Sequence, residues 1–198
     1  MSNLVTNASD VHAKQPPVTA VQPARDLSLR SVMAKTVVVH TVTYFVAGIL
    51  AFTLFDYATK FADPRLGGLL RPTNTPIVAA GPALQVVRGL MFGVVFYLLR
   101  DPLFTRPRGW LTLWTTLVVV GIFSTFGPAP GSVEGLIYTT LPVGGQLGGL
   151  IEVIAQALLL SVVLFYWVNH PEKRWLNWVL GGFFVLVLVF SALGYFLA

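Results

Sequence analysis

Apolar residues run along this chain in long, nearly unbroken stretches, and the polar residues 1–28 ahead of them show neither a period of 2 nor one of 3.6. The hydrocarbon core of a bilayer is about 30 Å thick and takes roughly 20 apolar residues as a helix. Five stretches meet that requirement: residues 36–57, 82–99, 109–126, 148–168 and 175–197. The second can begin as early as Ile77. The pattern predicts an all-α, polytopic integral membrane protein with five transmembrane helices. Ahead of them, residues 1–30 are polar and carry the pair Pro16–Pro17, which reads as a disordered tail and leaves 31–198 as the transmembrane domain. Within this border region Leu27–Lys35 reads as a short interfacial helical turn. The first apolar run is too long for the h-region of a secretory signal, so it is expected to be a retained span. Asp10 and Asp26 argue against an organellar transit peptide, which is poor in acids.

Composition narrows the class. Hydrophobic residues make up 55% of the chain and charged residues 11%, against about 45–50% and 25% in soluble domains. Too little polar surface is left to cover a soluble globule, which excludes an ordinary soluble enzyme or a disordered chain. No nucleic-acid partner is expected; the partner is the lipid bilayer. There is no cysteine, so disulfides, thiolate catalysis and Cys-based metal sites are excluded. The net charge of +5 is read as topology. Lys14, Arg25, Arg30, Lys35, Arg100, Arg106, Arg108, Lys173 and Arg174 lie in the tail and in two short links, whereas only Lys60, Arg65 and Arg71 lie on the other side. The positive-inside rule then puts the N-terminus in the cytoplasm and the C-terminus outside, with the plasma (inner) membrane as the expected location. Trp110, Trp114, Trp167, Trp175 and Trp178 fall near the same, cytoplasmic interface as an aromatic belt.

Two segments resemble one another. VVFYLLRDP (Val94–Pro102) and VVLFYWVNHP (Val162–Pro171) align Phe96–Tyr97 on Phe165–Tyr166, and each is followed by a basic link and a Trp–Leu start. This suggests a parallel duplication of a two-helix hairpin, its copies related by an axis along the membrane normal.

Only a few polar residues fall inside the spans. Arg88 lies well within the second, where moving an arginine to the bilayer centre costs about 2.5–3.5 kcal/mol. Such a residue calls for a partner, a wet cavity or the interface. Glu152, near the outer end of the fourth span, is the expected partner. Gln156 sits one turn below Glu152 and Gln85 one turn above Arg88, giving a cation, an anion and two amides in the outer half. The Gly/Pro-rich loop at 127–147 holds Glu134, which joins the cluster if the loop folds back into the membrane; simple turn chemistry is the competing reading. Gly89 and Gly93 have the small-xxx-small spacing of close helix packing. His40 and His170 are expected to be a hydrogen-bonded and an interfacial residue rather than metal or haem ligands. No catalytic motif is present, and no metal or cofactor is expected.

Three functions remain. The first is a non-catalytic component or assembly partner of a membrane complex, or a homo-oligomer, with Arg88, Glu152, Gln156, Gln85 and Glu134 as internal glue. The second is a transporter or binding protein holding a small anionic or zwitterionic solute or lipid headgroup on Arg88. The third is an intramembrane lipid-modifying enzyme with Glu152 or Glu134 as acid or base.

Overall fold

The computed structural model describes residues 26–61 and 71–197, and among these the chain is helical with no strand. The tail expected over residues 1–30 lies outside the described residues as far as residue 25, and Leu29 and Arg30 already belong to the first helix. Helix α1 spans Leu29–Leu54. It starts seven residues before the predicted span because Ser28 caps it: the Ser28 hydroxyl accepts from the Ser31 amide at 3.4 Å. Asp26 in turn accepts from the Ser28 amide at 3.0 Å, and the Ser28 hydrogen bonds hold its carboxyl below the usual range. The interfacial turn expected over Leu27–Lys35 is therefore the first stretch of α1 itself. At the far end Asp56 adopts a left-handed φ of 47°, a conformation Asp tolerates better than most residues. The chain breaks there and restarts as the short helix α2, Tyr57–Phe61.

Beyond the next described residue, Arg71, come α3 (Pro76–Ala79) and α4 (Gly81–Leu98), each with proline in its first turn, where no amide donor is lost. A π-helical turn at Asp101–Thr105 leads to α5, Gly109–Thr115, which widens into a π-helical run over Thr116–Phe123. Two short helices, α6 (Val133–Tyr138) and α7 (Val143–Gly148), occupy the Gly/Pro-rich loop. Then follow α8 (Leu150–Asn169) and α9 (Trp175–Leu197). Four apolar helical stretches are long enough to cross a bilayer: Leu29–Leu54, Gly81–Leu98, Val143–Asn169 and Trp175–Leu197. The fifth expected span is shorter as a helix, Gly109–Phe123, because it ends before Ser124 rather than at Phe126.

Three buried hydroxyls are absorbed locally, whereas those of Thr41 and Ser191 have no partner among the described residues. Thr36, Thr43 and Ser161 donate to the carbonyls four residues earlier, Val32, Val39 and Ala157, at 2.7–2.8 Å. This is how an apolar helix carries polar residues at membrane depth.

In lipid the apolar effect gives no drive for helix pairing, so close van der Waals contact must supply it. The seam of α1 with α4 is built on this. A Cβ placed on Gly89 would lie 2.8 Å from the Val37 Cα, and one on Gly93 would lie 3.0 Å from the Met33 Cα. Helix α1 also packs against α8 and α9, α4 against α9, and α5 against α8. Neither α4 with α5 nor α8 with α9 forms a packed seam, although each pair is joined by a short link.

The core is concentrated at one end. Val32, Phe96, Leu103, Phe104, Leu113, Leu164, Trp167, Val168 and Leu176 form a buried cluster where α1, α5 and α9 begin and α4 and α8 finish. We call this the basic end, because Lys35, Arg100, Arg106, Arg108, Lys173 and Arg174 surround it. The opposite, loop end holds α2, α3, α6 and α7.

Gly89→Val should lower the unfolding midpoint of the purified protein, as overpacking costs about 1–3 kcal/mol. Gly48→Ala, where nothing lies within 4 Å of the added Cβ, should leave it within a degree or two. Thermal scans of both variants check this.

Candidate functional site

Glu152 stands in the first turn of α8, half-buried, near the positive end of the helix dipole that favours a carboxylate. The Tyr57 hydroxyl donates to its Oε2. The pairing depends on the break at Asp56, which carries the chain off the α1 axis and starts α2 with Tyr57. Burial and the bond to Glu152 hold the Tyr57 phenol above its ordinary range, so it remains a donor. Oε1 of Glu152 has no partner among the described residues.

These two residues line a cleft of about 310 Å³ between the loop-end half of α1, α2 and α3. Its walls are mainly apolar, with Phe45, Ile49, Phe52 and Val78 among the lining side chains. Tyr44 and Thr73 add further polar atoms. Ile49 and Phe52 are also exposed on the outside of α1 (49% and 45%), so the cleft runs on to the apolar flank of the bundle.

Arg88 is not part of this arrangement. It is exposed on α4 and among the described residues makes no ion pair and no hydrogen bond. Its charge lies within electrostatic range of His40 and Tyr44. Gln85, expected beside it, turns to α1, where its Oε1 lies 3.3 Å from Nε2 of buried His40. The imidazole is packed edge-on against Phe92 at 5.1 Å, and its Nδ1 is buried without a partner. Gln156 is half-buried and among the described residues has no hydrogen bond.

The 127–147 loop is organised by a residue that sequence reasoning passed over. Gln146 is 3% exposed. Its Oε1 accepts from the Gly131 amide at 3.2 Å, and its Nε2 donates to the Leu141 carbonyl at 2.9 Å and to the Thr139 hydroxyl at 3.2 Å. Gly131 has φ 85°, and a Cβ there would lie 2.5 Å from the Leu150 side chain. The loop is thus a folded cap made of turn chemistry plus one amide stitch. Beside it a second cleft, of about 290 Å³, opens between Ile122, Thr125, Pro130, Gln146 and Val153. Glu134 lines neither cleft; it sits in the first turn of α6 with Oε2 buried and without a partner.

The five residues expected to cluster are therefore divided. Glu152 belongs to the loop-end cleft, Gln85 to the α1–α4 seam, Arg88 to the exposed flank of α4, Glu134 to the loop cap, and Gln156 to a half-buried position on α8. The expected contact of Arg88 with Glu152 is not made. Tyr57 was legible only as an aromatic at the end of the first apolar run, and nothing local in the sequence places it against α8. His170 is stacked on Tyr166 at 4.1 Å at the basic end, far along the chain from His40. Among the described residues no three His, Asp or Glu side chains converge as a metal site. No protein-family model, curated protein or solved structure matches the chain.

Removing the stitch gives a direct check on the cap. Gln146→Ala leaves the buried Gly131 amide unpaired, a loss of about 1–3 kcal/mol. Hydrogen exchange should accelerate across 127–147 by tenfold or more while α1 and α4 keep their protection.

Proposed function

We propose that this chain is a non-catalytic component of a membrane complex, recognised by its neighbour through the flank of α4 that carries Arg88. One observation carries the reading. Arg88 is seven residues into the 18-residue helix α4, about 10 Å from its start. It stands among the exposed apolar residues Leu84, Val87, Met91 and Val95, with no acid paired to it among the described residues. A lone guanidinium on a bilayer-facing flank costs several kcal/mol less when a carboxylate or a string of carbonyls from another helix meets it. Several other polar groups inside the helices make contacts within the chain: Gln85 with His40, the Oε2 of Glu152 with Tyr57, and the Trp114 indole with the Ile154 carbonyl. The reading in which Arg88 holds a solute finds less support, because Arg88 lines neither of the two clefts described above.

In this proposal the protein is multi-pass in the plasma membrane, with the basic end in the cytoplasm, the loop end outside and α5 as a fifth, short span. The distribution of Lys and Arg supports the orientation. We also propose that the α4–α5 and α8–α9 units derive from a duplication. Exchanging α4 with α8 and α5 with α9 turns the packed pair α4–α9 into the packed pair α8–α5. In both units a cation covers the aligned tyrosine: Arg100 lies 4.5 Å from the Tyr97 ring and Lys173 4.7 Å from the Tyr166 ring.

A photo-crosslinking residue at Met91 should give a discrete protein adduct in native membranes, and Arg88→Leu should abolish it without lowering the unfolding midpoint. Lipid adducts alone at Met91, or unfolding of Arg88→Leu, would overturn the reading. For the orientation, a reporter fused at the C-terminus should be active only outside the cytoplasm.

A further inference from the structure

The loop-end cleft is not used by the proposal above and has its own chemistry. Three features define it. A half-buried carboxylate has one oxygen held by a phenol and the other without a partner among the described residues. No cation among the described residues pairs with it. The aromatic rings of Tyr44, Phe45, Phe52 and Tyr57 line the same space.

We propose that this cleft is a binding site for an amine-headed amphiphile, its ammonium on the Glu152 carboxylate and its alkyl chain along Phe45, Ile49 and Phe52. Charge selects the head. A carboxylate near the bilayer with no counter-charge among the described residues is met better by a cationic head than by a hydroxyl. An ammonium offers three donors, enough to reach the open Oε1, and aromatic faces beside an anion add cation–π attraction. The walls select the tail. They are mainly apolar and include Ile49 and Phe52, which are also exposed on the flank of α1, so a chain can leave the cleft sideways along these two side chains. At about 310 Å³ the cleft has the size of the smaller ligand sites, about 300–1,000 Å³, and holds a head with the first part of a chain. The inference rests on Glu152 and does not involve Arg88, so it fails or succeeds independently of the complex.

Native mass spectrometry of the full chain in maltoside micelles tests it, with dodecylamine, dodecanoic acid, phosphatidylethanolamine and phosphatidylglycerol as probes. Dodecylamine should be retained at least tenfold better than dodecanoic acid, and Glu152→Gln should remove that preference. Retention of phosphatidylethanolamine over phosphatidylglycerol as well identifies a membrane lipid as the source. Retention of dodecylamine with no preference between the two lipids identifies a free long-chain amine. Equal retention of dodecylamine and dodecanoic acid, or an unchanged preference in folded Glu152→Gln, overturns the proposal. If Glu152→Gln does not fold, Ile49→Trp decides: it keeps the carboxylate and fills the track of the chain. Dodecylamine retention should then drop tenfold, and unchanged retention sinks the site.

Discussion

The close approach of α1 to α4 is the contact on which the rest of the bundle depends. Two glycines on α4, one turn apart, let the backbone of the second helix lie against Met33 and Val37. Lipid offers no preference for one helical neighbour over another, so the distance at which two backbones can meet sets the strength of the seam. Once α1 and α4 are joined, α1 has its other sides free for α8 and α9, and it becomes the central element of the fold. The seam also fixes the depth at which Gln85 meets His40, so a polar bond reinforces the steric one.

From that seam the two ends of the bundle diverge. At the basic end the buried cluster around Phe104, Leu113 and Leu164 closes the helices together. At the loop end short helices and turns take the place of large buried side chains, and both clefts are found there. Glu152 and Glu134 each lie in the first turn of a helix at the loop end, where the dipole favours them. Most of the described cations lie at the opposite end, where Asp26, Asp101 and Glu172 accompany them.

Much of this was legible from hydropathy alone. All five apolar stretches are helical, and Trp175–Leu197 begins and ends where the pattern places it. A run of apolar residues bounded by Pro, basic residues or Gly has little alternative to a helix in lipid. The misjudged boundaries have local causes. The cap at Ser28 extends α1 into a polar sequence, and the left-handed Asp56 ends it early. The candidate site was less legible. Arg88 and Glu152 were recognisable as costly residues, but helix rotation decides which flank each one occupies, and a nearly uniform apolar sequence hardly constrains rotation. Spacing therefore grouped residues that the fold separates. Gln146 and Tyr57 were missed for a related reason: their partners are set by turns, whose geometry depends on single residues such as Gly131 and Asp56 rather than on a repeating pattern.

The crossed pairing of the helices has a consequence for how the protein is made. Because α5 packs on α8 and α4 on α9, neither α4–α5 nor α8–α9 can close on itself as it emerges. Helix α5, the shortest of the apolar helices, has to wait for a neighbour encoded some 40 residues downstream, as the Trp114–Ile154 bond shows. Until α8 is made, α5 has the adjoining turn at Asp101–Thr105 to pack against but not its partner helix. A translational pause before α8 would lengthen the interval in which α5 lacks that partner.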